Sequence, residues 1–172
     1  MTQHRVRLVE ATPEMLEAIS RGPEALAAVL GIDPPAGWPE FPDAYEFVRE
    51  RLTTHPDEAG WWTCLFTDRE SGRVLGSGGY KGPPRDGIVE IGYEVAPQYR
   101  ARGIATDAAG LLIERAFAVR EISAVDAHTL AGTNASTTVL ARWGFRRIGE
   151  LDDPGHGPIT HWRLAREECV AR

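Results

Sequence analysis

The chain has 172 residues, 42% hydrophobic and 26% charged, with a formal net charge of −6. These values suit one soluble domain with a single core, and no run approaches the roughly 18 apolar residues of a membrane-spanning helix. The acidic balance and the lack of a basic run argue against nucleic-acid binding and mildly favour a cationic substrate.

Met1 to Arg5 carries no apolar core of signal type, so a cytoplasmic location is expected. Cys64 and Cys169 have no metal-ligand spacing and form no disulfide framework, and no metal site is expected. Cys64, in an apolar run, reads as a small core residue.

Val6 to Val9 reads as a first strand. Thr12, Pro13 and Glu14 then supply an N-cap hydroxyl, a proline at the first helical position and an acid in the first turn. A second short helix runs from Pro23 to Val29. The proline-rich stretch from Asp33 to Pro42 is an irregular loop carrying Trp38 and Phe41, and Asp43 opens a further helix with Tyr45, Val48 and Leu52 on one face. Trp61 to Thr67 and Arg73 to Lys81 flank a turn and predict an antiparallel pair, and Ile88 to Ala96 is a third strand. The helix from Gly103 to about Arg120 is apolar over most of its circumference and so belongs against a sheet. Ala124 to Leu130 is a strand, and a short helix with Ser136, Val139, Leu140 and Trp143 on one side ends at Gly144. Phe145 to Glu150 and Ile159 to Leu164 complete the set, joined by a loop from Asp152 to Pro158. The whole predicts a single α/β (α+β) domain over residues 1–172, with a mixed, mainly antiparallel sheet of about seven strands flanked by helices.

The most informative segment is the turn between the third strand and the long helix. A helix start offers unpaired backbone N–H groups and the positive end of the helix dipole. Gly103 and Ala105 leave that backbone accessible, and Arg100 and Arg102 add charge, which are the ingredients of a pyrophosphate site. The competing structural reading is a tight turn with two solvated arginines. A Rossmann site is a weaker competitor, since the Gly-x-Gly-x-x-Gly count fails and the preceding strands read as antiparallel.

Arg100-x-x-Gly103-x-Ala105 resembles the (Gln/Arg)-x-x-Gly-x-(Gly/Ala) signature of the GNAT acetyltransferases. His128 to Phe145, Gly72 to Gly79 and Glu90 to Tyr93 resemble further segments of the branch that holds the Rim-type ribosomal-protein N-terminal acetyltransferases. The resemblance implies acetyl-CoA as co-substrate, with its pantetheine arm in a gap between two splayed strands beside Val95. It implies that the N–H groups of Arg102, Gly103, Ile104, Ala105 and Thr106 hold the pyrophosphate. It also implies transfer to an amine, a peptide N-terminus or a small molecule, by direct attack, and is compatible with a homodimer.

An alkyl ammonium at pH 7 is deprotonated in only about one molecule in a thousand, so a proton acceptor is needed. Glu90 and Glu94 share one strand face and are the candidates, alone or through water, with Glu90 at the position where many family members carry a glutamate. Leu140 stands where many members have a tyrosine acid, and Ser136 is the candidate proton donor to the departing thiolate. Thr133 occupies the usual asparagine position, so Asn134 is either a shifted cofactor contact or the helix N-cap. Trp38, Phe41 and Trp61 are candidate acceptor-pocket residues, and His156 and His161 candidate proton-transfer groups. Two other readings remain: a non-catalytic acyl-CoA sensor or interaction module of the same fold, and a nucleotide-binding domain of another class.

Overall fold

The computed structural model describes residues 4–170; Met1 to Gln3, on which part of the signal-type reading rests, lie outside them. The elements are β1 (Val6–Glu10), α1 (Pro13–Arg21), α2 (Pro23–Leu30), α3 (Asp43–Thr54), β2 (Thr63–Asp68), β3 (Val74–Tyr80) and β4 (Ile88–Val95). They continue with α4 (Ile104–Ala118), β5 (Ala124–Leu130), α5 (Ala135–Trp143), β6 (Arg146–Asp153), β7 (Gly157–Ala165) and α6 (Arg166–Val170). The seven strands form one sheet in the order β1-β2-β3-β4-β5-β7-β6. Every pairing is antiparallel except β4 with β5. No helix among the described residues is long and apolar enough to cross a membrane.

Alternation along the strands divides the core. Val89, Ile91 and Val95 of β4 are buried in the cluster that includes Ile104, Ala108 and Leu112 of α4. On the opposite face, Leu16 and Ile19 of α1 and Tyr45, Val48 and Leu52 of α3 enclose Leu65, Val74 and the loop residue Trp38. Cys64 is buried, and burial pushes its thiol up to about 11, which suits a core residue and not a nucleophile.

Gly110 joins the two halves of the α4 face. A Cβ placed there would lie 2.3 Å from the Trp143 indole, whose Nε1 donates to the Thr106 carbonyl at 2.8 Å and cannot move aside without losing that bond. Gly110→Val is therefore expected to destabilise the fold by about 1–3 kcal/mol through overpacking, read as a lowered urea midpoint.

The strand expected from Trp61 begins only at Thr63, and two larger differences follow later in the chain. The loop expected from Asp152 to Pro158 is instead a tight hairpin, because pairing continues through Leu151↔Ile159, Asp152↔Pro158 and Asp153↔Gly157. The Asp153 carboxylate closes it by accepting from Gly155 N at 3.0 Å and bonding His156 Nδ1 at 2.7 Å. The short helix α6 has no sequence counterpart in that reading. Its first residue, Arg166, donates to the carbonyls of Phe117, Val119 and Ile122 and ties the end of the chain to the end of α4.

Several carboxylates titrate low in the folded state. Asp68 is held at about 2 by backbone and side-chain bonds from Ser71 and by Arg5. Burial opposes the charge of Asp126, but Arg163, bonded at 2.7 and 2.8 Å, and His161 at 2.7 Å outweigh it and lower its pKa. A depressed carboxylate contributes stability that is fully present above its unfolded pKa, near 4, and is lost as pH falls through the folded value. Urea midpoints are expected to stay level down to about pH 5 and fall between about pH 4 and pH 2. Asp68→Asn should flatten part of that slope; an unchanged slope would contradict the assignment.

Candidate active site

The parallel ladder between β4 and β5 contains only Ile88↔Ala124, Val89↔Val125, Glu90↔Asp126 and Ile91↔Ala127. Beyond Ile91 the strands part. β5 continues against β7 through His128↔His161, and β4 continues against β3 through Gly78↔Tyr93 and Gly76↔Val95. The register fixes which backbone groups face the gap. Lys81 N donates to the Glu90 carbonyl and Ala96 N to the Leu75 carbonyl, so the even residues of β4 bond β3. Tyr93 and Val95 therefore turn their N–H and C=O groups into the opening, as an antiparallel ladder requires.

Arg100 sits at the wider end of this opening. Its Nε donates to the Val95 carbonyl at 3.0 Å and its guanidinium pairs with Glu40 at 3.2 Å. It thus staples the turn to the strand end. Arg102 is exposed and lies over the Tyr99 ring, 5.9 Å from its centroid. Gly103 adopts φ +78°, a left-handed conformation that glycine takes without strain, and α4 starts at the next residue with no side-chain cap. The first backbone bond of the helix is Asp107 N to the Gly103 carbonyl, which leaves the earlier N–H groups of the turn, at Ile104, Ala105 and Thr106, directed outward. A Cβ at Gly103 would meet nothing within 4 Å, so the approach is open.

Asn134 is the N-cap of α5. Its Oδ1 accepts from Thr137 N at 3.1 Å, its Nδ2 donates to the Leu130 carbonyl at 3.1 Å, and Thr137 returns the capping-box bond. Its side chain thus serves the turn, with one amide N–H and one oxygen lone pair left over. Ser136 lies half-buried in the first helical turn, with no hydrogen bond to its hydroxyl among the described residues.

Glu90 and Glu94 share the sheet face opposite α4, as the alternation predicts, but their surroundings differ. Glu94 accepts from Tyr45 at 2.8 Å, from Ser77 at 3.4 Å and from Glu40 N at 3.0 Å, so it straps the Asp33–Pro42 loop and α3 onto the sheet. Glu90 pairs with Lys81 Nζ at 2.5 Å and with His128 Nδ1 at 2.9 Å. Burial raises the pKa of Glu90, but the bonds to Lys81 and His128 outweigh it and the net shift is downward. Ionised Glu90 makes Nδ1 of a neutral His128 the hydrogen-bearing nitrogen and leaves Nε2 as an acceptor. His128 stacks on His161 with ring centroids 4.4 Å apart, and His161 Nε2 bonds Asp126 at 2.7 Å.

His128 is the group that sequence reasoning passed over as a motif residue. It is the first residue of β5 beyond the ladder, across the opening from Gly92, and the Glu90–Asp126 register was the only signal for it. His161 joins the cluster, whereas His156 only closes the β6–β7 turn. The aromatic expectation is also redistributed. Trp38 is buried beneath the site with Nε1 on Ser77, and Trp61 packs on Tyr80 in the α4-side core, with centroids 5.2 Å apart. Trp62 takes its place, lining with Phe41, Tyr45 and Phe47 a cavity of about 720 Å³ on the Glu94 face.

A family model described as an acetyltransferase (GNAT) domain matches residues 5–146. The chain belongs to the GNAT acetyltransferase family. A relative from Bacillus subtilis (strain 168), the uncharacterized N-acetyltransferase YjdG, is 26% identical over 145 residues, 83% of this chain and 86% of that one. RimJ from Mycobacterium smegmatis, solved with CoA-disulfide, has the same fold with TM-score 0.67 and 21% identity over 95% of this chain and 83% of that one. The spermidine/spermine N-acetyltransferase SpeG from Vibrio cholerae matches with TM-score 0.72 and 11% identity over 99% of both chains. Rim-type and polyamine acetyltransferases thus share this architecture alike, so the fold does not select the Rim-type branch expected from the motifs.

Proposed function

We propose that this protein transfers the acetyl group of acetyl-CoA to a primary amine within a ternary complex. The observation that carries the reading is the opening between β4 and β5, which ends on an uncapped helix start with an open glycine. The residues fit CoA in two further respects. The Tyr93 hydroxyl is buried without a hydrogen-bond partner among the described residues, and burial raises its pKa, so it suits a polar group supplied from outside. The outward N–H groups and Arg102 suit a pyrophosphate. Acetyl-CoA, when bound, supplies an activated thioester carbonyl.

The chain's own residues then divide the work. The N–H groups from Arg102 to Thr106 and the Arg102 guanidinium hold the pyrophosphate, with Arg100 fixing the turn. The backbone groups of Tyr93 and the Val95 N–H would align the pantetheine arm in the opening, the Val95 carbonyl being held by Arg100. The amine enters from the face opposite α4, above Gly92. His128 Nε2, across the opening, accepts the amine proton directly or through one water. Glu90 stays ionised and stabilises the imidazolium, as a carboxylate does beside a working histidine. Glu94 already accepts three hydrogen bonds and serves the wall. The Ser136 hydroxyl, without a hydrogen-bond partner among the described residues, would donate a hydrogen bond to the departing sulfur and relay a proton to it from solvent. Turnover is tested by following free CoA thiol with a panel of amines and peptides; CoA binding without turnover on any acceptor would favour the sensor reading.

A further inference from the structure

The acceptor face of β3 and β4 carries an ordered series of facing residues: Ser77 beside Glu94, Gly79 beside Gly92, and Lys81 beside Glu90. The central glycine pair leaves a strip of sheet without side chains between a negative and a positive end. A Cβ at Gly92 would meet only Lys81 Cε, at 3.6 Å, so space above the strip is open. By contrast a Cβ at Gly79 would fall 2.0 Å from the Trp62 carbonyl, and that glycine is needed for the close approach of β2.

The cavity over this strip has an apolar wall and a charged end. Phe41 and Phe47 are each 60% exposed, an uncommon placement for two neighbouring phenylalanines, and Phe47 meets Trp62 edge to face at 5.7 Å. Lys81 and Arg85 line the end away from Glu94. Lys81 shares its charge with Glu90, whereas the exposed Arg85 has no acidic partner among the described residues. A polyamine would bring cations to both ends of the cavity, and one of those ends is already cationic.

We propose that the acceptor is a small amine bearing an oxyanion, a carboxylate or a phosphonate-type group, on an apolar body of about aromatic size. The inference rests on the acetyl-transfer reading and narrows its acceptor. The amine lies over Gly92 between the carboxylates of Glu90 and Glu94. The oxyanion lies at Lys81, which faces Glu90 roughly 7 Å along the strand from Gly92, and is met by Arg85, whose backbone pairs with Ile88 two residues farther on. The apolar body fills the space against Phe41, Phe47 and Trp62. Guanidinium pairing with an oxyanion supplies affinity and orientation together.

The test uses the protein with acetyl-CoA and five acceptors: 4-(aminomethyl)benzoate, its methyl ester, 4-(aminomethyl)phenylphosphonic acid, spermidine and an alanyl peptide. The two acids are expected to exceed the ester in kcat/KM by roughly tenfold or more, the cost of losing one charge-assisted hydrogen bond. The ratio of carboxylate to phosphonate then says which oxyanion is preferred. Arg85→Ala should erase most of the acid-to-ester difference through KM, and Gly92→Val should raise the acceptor KM while leaving CoA affinity in place. Preference for spermidine or the peptide, equal rates for acid and ester, or an acid-to-ester ratio untouched by Arg85→Ala overturns the proposal and leaves acetyl transfer standing. Calorimetric binding of 4-(aminomethyl)benzoate that weakens in Arg85→Ala, without thiol release from any amine, supports the pocket and overturns the transfer reading instead.

Discussion

Glu90→Gln and His128→Ala are each expected to lower kcat by about 10²-fold to 10⁴-fold with little change in CoA affinity, the usual contribution of a positioned proton acceptor. The two side chains act as a pair. Glu90 fixes His128 through a 2.9 Å bond and is itself kept ionised by Lys81. Removing either should cost nearly as much as removing both, because groups that act as one unit are strongly non-additive. The pH profile separates this role from a structural one. The acidic limb of kcat/KM should report the free enzyme's proton acceptor and should shift or vanish in both variants. Glu90 alone, with its pKa lowered, would be a weak acceptor for an ammonium proton, which is why the imidazole is needed. A profile and rate unchanged in Glu90→Gln would remove the pair from the mechanism, and a normal rate in His128→Ala would return the proton to Glu90 or water.

Gly103→Asp is expected to weaken CoA binding by about 100-fold or more while leaving the fold within about 1 kcal/mol of the parent. The two effects have one cause. Gly103 is the N-cap position of α4, and it lacks a side chain to satisfy the helix start. Aspartate is among the best N-cap residues, tolerates the left-handed region better than most, and its Cβ would meet no atom within 4 Å. Its carboxylate would take the N–H groups left for the pyrophosphate and repel its charge. Strain at φ +78° and the gain of a cap should nearly cancel in a urea titration, while calorimetry with CoA records the loss. Retained CoA affinity in Gly103→Asp would place the pyrophosphate elsewhere.

The features visible in the sequence are those with short-range causes. The N-cap at Thr12 and the apolar circumference of α4 follow from local chemistry, and so does the alternation that puts Glu90 and Glu94 on one face. The signature turn could be read for the same reason, because glycine with a left-handed φ and unpaired N–H groups are properties of six consecutive residues. The opening between β4 and β5 was expected only through resemblance, since a ladder that stops after four pairs depends on strands about 35 residues apart in the chain.

Long-range pairing also explains what was missed. His128, Glu90 and His161 come from three strands, and nothing local to His128 marks it. Trp61 and Trp62 are adjacent, just before β2, with opposite fates: one packs on the α4-side core and the other lines the cavity, and nothing local to either says which. Asn134 shows the reverse: its capping pattern is local, and the structure has that cap.

The central claim is acetyl transfer from acetyl-CoA to an amine at the Gly92 strip. The most direct measurement is free CoA thiol released by the purified protein from acetyl-CoA, with and without each amine, alongside mass analysis of the acceptor. The account predicts acceptor-dependent thiol release matched by one acetyl group on the amine, and its loss in Gly103→Asp. Tight CoA binding with no acceptor-dependent release from any amine, or higher affinity for NAD or ATP than for CoA, would contradict it.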